Sequence, residues 1–440
     1  MPQPESQKNG RRNRWVWTVL PANGGITAFS TMLPLYILQL GGTVIEVALL
    51  TTIYNVMLIP SSIFWGSITD RLSRRRLFFL ISYLGIAAIF AFMLLLPGIY
   101  WLAFLYGWLA YAVVANAAAS NLLVMETTAK RSWVSAYAKL SLTGNLGAII
   151  GLMVGLFWSS ALPLREFLAF CSASSLVSLG LAFIFIREPE LPLETIQLAF
   201  QPLGFFSRFS QTLTSSLQGM INRFVSPPSP RKIVRMIRAA RAGAIHGRAL
   251  LFISTFIFMI GSALLNTSYT PFLAVNGVFD NEVFALQLLN SVIQTAVYRW
   301  MGIFTSRFGE VRVGSYAVVA RAAVYALIAA SGVLFRGLPL FLFSTVMFAL
   351  IGVVFALWNA STSGLLLNSL GPARQGGMLG GYSALSSLGL VVGSFFSGYA
   401  SFYLGYVVTF IVAAILLLIS FFVLEAAFRG LGVVRGRTIR

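Results

Sequence analysis

The sequence predicts an all-α membrane protein of twelve transmembrane helices in two six-helix bundles. Three observations carry that expectation: an apolar composition with few charges, basic residues gathered on one side, and an internal repeat. Of 440 residues, 58% are hydrophobic and 10% charged, where a soluble domain carries about 25% charged residues. Apolar runs of roughly 20 residues cross a bilayer core of about 30 Å. Cys171 and His246 are the single residues of their types, which excludes an intramolecular disulfide and a Cys/His zinc cluster. Neither a metal nor a cofactor is expected, and no phosphate-binding loop of the Gly-x-x-x-x-Gly-Lys-Ser/Thr type is present.

The elements follow in order. Lys8, Arg11, Arg12 and Arg14 precede an apolar run from about Trp15 to Leu40. That run is too long for a signal-peptide core and lacks a small-residue cleavage site, so it reads as helix 1. Further spans fall near 44–69, 77–97, 99–124, 133–160 and 166–187, which completes an N-terminal bundle over 1–188. From 189 to 248 the apolar runs stop, and Ser226-Pro227-Pro228-Ser229-Pro230 marks a linker. Phe205, Phe209, Leu213, Leu217, Met220 and Phe224 stand at helical spacing on one side of it. On the other side, Ile233, Met236, Ile237 and Ala240 alternate with Arg231, Lys232, Arg235, Arg238 and Arg241. A basic amphipathic helix of this kind lies on a membrane surface, and a partner-docking helix is the alternative. The C-terminal bundle, 249–440, holds spans near 249–273, 282–305, 313–334, 338–368, 378–403 and 405–427.

Orientation follows from the basic residues. With both termini in the cytoplasm, 26 of the 31 Lys and Arg fall on the cytoplasmic side. Arg165 and Arg336 fall outside, and Lys139, Arg299 and Arg321 lie within spans. This is the asymmetry of the positive-inside rule. The net charge of +19 therefore points to a multi-pass protein of the cell membrane touching anionic lipids, and not to nucleic acid.

The halves repeat one another. Gly66/Gly302, Arg71/Arg307 and Glu46/Glu282 are each 236 positions apart, Pro34/Pro271 237, and Gly147/Gly389 and Gly151/Gly393 242. Small residues four apart let helices approach closely. Parallel repeats are an architecture of secondary transporters, with the substrate site between the halves near mid-membrane.

The segment Gly66 to Arg76 resembles the loop between helices 2 and 3 of the major facilitator superfamily, Gly-x-x-x-Asp-Arg-x-Gly-Arg-Arg. Gly66, Asp70, Arg71, Arg74 and Arg75 match it; Ser73 replaces the second Gly, and Ser306 replaces the acid in the other half. The resemblance covers nearly the whole chain and implies a transporter. It implies that Asp70 faces the start of helix 11 near Gly377-Met378-Leu379-Gly380, and that Arg74 bridges Asp70 to Glu126. The gating group so implied is Gly66, Asp70, Arg71, Arg74, Glu126, Gly302 and Arg307. Gly147 to Gly151 partly resembles the superfamily's antiporter signature but lacks its Pro and the second of the paired Gly, so close helix packing is the simpler reading.

Candidate substrate-binding residues lie on the helices that line the central cavity in that family. Helix 8 carries Gln287, Asn290, Ser291, Gln294 and Tyr298 on one face. Buried amides are costly against lipid, so this face should meet a cavity or the other half. Asn23 on helix 1, Tyr54 and Asn55 on helix 2, Asn116 on helix 4, Asn266 and Tyr269 on helix 7, and Trp358 and Asn359 on helix 10 join it. Satisfied packing is the alternative for any single Asn. Lys139 is expected to snorkel, Arg299 to make a cytoplasmic lipid contact, with attraction of an anionic substrate as its alternative, and Arg321 to snorkel or find a partner in its own half. No acid sits near the middle of a span; Glu46 with Thr43, and Asp280 with Glu282, suit helix starts.

The expected function is secondary transport of a small organic solute, neutral or amphipathic, by alternating access, with efflux as one direction and with weak or unusual proton coupling, or facilitated diffusion. A transporter-like solute sensor is the alternative. The chain is expected to be a monomer and not an enzyme: one His, one Cys and no acid cluster supply no catalytic constellation.

Overall fold

A computed structural model of the chain describes residues 14–71, 75–127, 133–186, 246–369 and 375–430. Among these residues stand twelve long α-helices, at the places the apolar runs mark. They are α1 (Val19–Gln39), α2 (Val44–Arg71), α3 (Arg75–Leu95), α4 (Ile99–Thr127), α5 (Trp133–Ala161) and α6 (Phe167–Phe185). Then follow α7 (His246–Val275), α8 (Asp280–Phe308), α9 (Glu310–Leu334), α10 (Leu338–Ser369), α11 (Gln375–Tyr403) and α12 (Tyr406–Gly430). The expected linker up to residue 245, with both amphipathic segments, lies outside the described residues.

Ten of these helices are long and apolar enough to cross a membrane. The two that fall short are α1, where Asn23, Thr27 and Ser30 stand on one face, and α8, with its amide stripe. Polar side chains lower their hydropathy, which suits helices that face protein more than lipid. Several helices outrun the apolar stretch that announces them. At about 1.5 Å per residue, the 29 residues of α8 exceed a hydrocarbon core of about 30 Å, so its ends stand beyond that core.

Helix packing repeats at an interval of six. α1 packs on α5 and α6 as α7 packs on α11 and α12; α2 packs on α4 as α8 packs on α10; α3 packs on α4 and α6 as α9 packs on α10 and α12. The two main contacts between the six-helix sets obey the same relation, α2 with α11 and α5 with α8. The glycine repeat explains the closest crossings. A Cβ at Gly147 or Gly151 would collide with the Leu20 or Gly24 carbonyl oxygen of α1, and a Cβ at Gly389 or Gly393 with the Phe256 or Ile260 carbonyl oxygen of α7. Backbone thus lies on backbone at both crossings, which only glycine permits.

The turns repeat as well. Gly41 and Gly277, 236 positions apart, end α1 and α7 with φ of 82° and 85°, a left-handed conformation open to glycine. Two residues on, the Thr43 backbone N–H donates to the Glu46 carboxylate at 2.7 Å, and the Phe279 N–H to the Glu282 carboxylate at 2.9 Å. The capping expected for Glu46 and Glu282 is therefore present in both halves.

Candidate functional site

Helices α7, α8 and α10, backed by α9, enclose a polar cavity of about 280 Å³. From α7 it is lined by Asn266 and Tyr269, from α8 by Gln287, Asn290 and Gln294, and from α10 by Phe348, Ile351 and Phe355. The 3.6-residue period places 287, 290 and 294 on one face of α8, and that face is the cavity wall. Close contact with α10 fixes the wall: a Cβ at Gly352 would meet the Asn290 side-chain oxygen at 2.7 Å and its backbone oxygen at 2.9 Å. Tyr269 is buried, donates its hydroxyl to Ser344 at 3.0 Å and stacks on Phe348 at 5.2 Å.

The structure brings five of the twelve expected substrate residues together here: Asn266, Tyr269, Gln287, Asn290 and Gln294. Three more stand near them on the same helices without lining the cavity. Asn359 donates its amide to the Tyr298 hydroxyl at 2.9 Å, tying α10 to α8, and Trp358 stacks on Phe258 at 3.7 Å. The four N-terminal residues stand apart. Asn55 is buried and donates to Ser394 of α11 at 3.4 Å, across the contact between the halves. Tyr54 stacks on Tyr106 at 4.6 Å, Asn116 accepts from Ser120 at 3.1 Å, and Asn23 lies against Gly144 of α5.

One cavity residue was not among the twelve. Arg321, near the middle of α9, lines the cavity and is 1% exposed. It does not snorkel, because its side chain turns inward among aromatic rings. Its Nε donates to the Tyr325 hydroxyl at 2.9 Å, and its guanidinium carbon lies 5.2 Å from the Phe258 ring, 5.2 Å from Phe355 and 5.3 Å from Tyr325. Of the two expectations for it, partners in its own half are the ones found. The signal in the sequence was the charge itself, a quarter to a half of the way along an apolar span. Lys139 and Arg299, by contrast, are exposed.

The halves also meet at the ends of helices remote from the chain termini. The Gln39 side-chain amide, at the end of α1, donates to the Asp280 carboxylate, at the start of α8, at 2.8 Å. Phe284 of α8 packs edge-on against Phe167 at 6.0 Å and fills the place a Cβ at Gly155 of α5 would take. Gly398 of α11 lies on Val44 and Ala48 of α2, and Thr52 shares a hydrogen bond with Ser394 at 3.0 Å.

At the opposite end, the side chains of Asp70, Arg71 and Glu126, the surroundings of Gly302, and all of Arg74 lie outside what is described. Nearby, a Cβ at Gly66 would meet nothing within 4 Å, and Arg307 is exposed beside the Phe308 ring at 5.6 Å. Arg75 is buried and donates to the Thr69 carbonyl near the end of α2, and Arg76 donates to the Phe183 carbonyl near the end of α6 at 3.0 Å. Both satisfy carbonyls that a helix C-terminus leaves open.

Twelve helices paired in two equivalent sets, with a polar cavity among the helices of the second set, define the class of two-halved helical membrane transporters. Residues 17–235 match the model of the Major Facilitator Superfamily, and the chain belongs to that superfamily. No curated protein matches it in sequence. Among solved structures it is similar to proton-dependent oligopeptide transporters, at a TM-score of 0.72 and 14% identity over 97% of this chain and 100% of that one. A mutant of the nucleoside transporter NupG matches at 0.69 and 14%, over 96% and 99%. The human organic anion transporter MFSD10 matches at 0.60 and 19%, over 96% and 100%. At such identities these likenesses concern the fold.

Proposed function

We propose that the chain carries a small organic solute across the cell membrane by alternating access between its two six-helix sets. The observation that supports this best is the repeated packing, in which α2 meets α11 as α8 meets α5. Such an interface lets one half rock on the other. The contacts made by Gln39, Asp280 and Phe284 would be closed in one state and parted in the other. With both termini in the cytoplasm and basic loops against anionic lipid, those contacts face outward, and the gating group at Asp70, Arg71 and Arg74 closes the cytoplasmic side.

Counterflow of labelled solutes into proteoliposomes tests the proposal. Accumulation of a labelled solute driven by its unlabelled form on the inside is expected, and Asp70→Asn should lower that rate while leaving expression intact. Saturable binding without counterflow would instead identify a solute sensor.

A further inference from the structure

Arg321 carries a charge that no described residue neutralises. A guanidinium stays protonated at any accessible pH, and burying a charge without a partner is costly. No described carboxylate lies within ion-pair reach of it. Glu425 of the neighbouring α12 accepts instead from Ser315 at 2.8 Å, and Asp280 and Glu282 are engaged at the start of α8. The three aromatic rings attract the cation through their faces but accept none of its in-plane N–H groups. Its Nε–H is satisfied by Tyr325, and its Nη1 is buried with no hydrogen-bond partner.

Arg321 is also one of the residues that line the cavity. Lining the same cavity are Asn266, Gln287, Asn290 and Gln294, whose amides can donate to an oxyanion or accept from the solute's other polar groups. We propose that this cavity takes the anionic group of the transported solute, a carboxylate or phosphate, with Arg321 as its counter-ion. A planar guanidinium pairs such oxygens through two parallel hydrogen bonds, and aromatic packing on three sides holds the fork in place before the solute arrives. The 280 Å³ volume suits a small organic anion, with Phe348 and Ile351 against its carbon skeleton. The inference rests on the transporter reading and replaces the neutral solute expected from the sequence with an acidic one.

The test uses the purified full chain in nanodiscs and small acids paired with neutral counterparts: lactate with lactamide, benzoate with benzamide, glycerol 3-phosphate with glycerol. Ligand binding raises the melting temperature by mass action. At least one acid should stabilise the wild type while its neutral counterpart does not. Arg321→Gln should weaken that binding by on the order of tenfold or more, and Arg321→Lys should keep the preference for the acid at lower affinity. Equal stabilisation by acid and neutral partner, no stabilisation by any acid, or an acid effect that survives Arg321→Gln overturns the proposal. The comparison within the wild type decides even if a variant fails to fold. Counterflow of the bound acid separates the two readings. Binding without movement leaves the anion site standing and removes transport; movement of neutral solutes with no acid preference does the reverse.

Discussion

At Arg321 the direction of one side chain decides what the cavity can hold. The sequence shows a charge within an apolar span but not which way α9 is turned about its axis, because a rotation of α9 costs little in hydropathy and everything in partners. The amide stripe of α8 was legible because its 3.6-residue spacing is internal to one helix. The fate of Asn55 was not, since Ser394 stands on a helix 339 residues away in the chain. The Asn359–Tyr298 bond gives a residue-scale prediction. Tyr298→Phe leaves a half-buried amide without its partner, and denaturation in detergent should show a loss of about 1 kcal/mol. Adding Asn359→Leu should recover part of that loss, and strictly additive losses would argue against a shared bond. Asp280 gives a second. Burial raises its carboxyl above the ordinary range, and the Gln39 amide partly opposes that. A carboxyl whose pKa is higher in the contact than apart binds its proton more tightly there. The contact is therefore at full strength below the ordinary value and weakens as pH rises through the raised one. Spin-label distances between the end of α1 and the start of α8 should lengthen as pH rises above the ordinary carboxylate range. Asp280→Asn keeps an acceptor for Gln39 without the charge, so its distances should stay short throughout.

Helices pair as they do here because glycines remove side chains where two backbones cross. The repeated glycines were visible as an interval, 242 positions in both pairs, but the interval alone does not say which helix they meet. The structure supplies that: α1 for Gly147 and Gly151, α7 for Gly389 and Gly393. The reading of Gly147–Gly151 as packing is thereby given its physical partner. Gly151→Val and Gly393→Val should each destabilise the protein by about 1–3 kcal/mol or more through overpacking. Gly180, whose added Cβ would meet nothing within 4 Å, is the control; Gly180→Ala should leave the melting temperature unchanged or raise it. Equal effects at all three positions would mean that the close crossings are not what holds the bundles together.

Across the whole molecule, the helix count, order and repeat could be read from apolar runs, charge placement and spaced glycines, since each is imposed by the bilayer or by close packing. The contacts between the halves could not, because they join single residues from distant parts of the chain. Those contacts are what alternating access must break. The most direct measurement places Gln39→Cys and Asp280→Cys together with Cys171, which is buried, replaced by Ser, and follows counterflow in proteoliposomes before and after oxidation. Locking this contact should stop solute movement, and reduction should restore it, with single-cysteine proteins unaffected. Undiminished counterflow through the locked protein would contradict a mechanism in which the two halves part at this end.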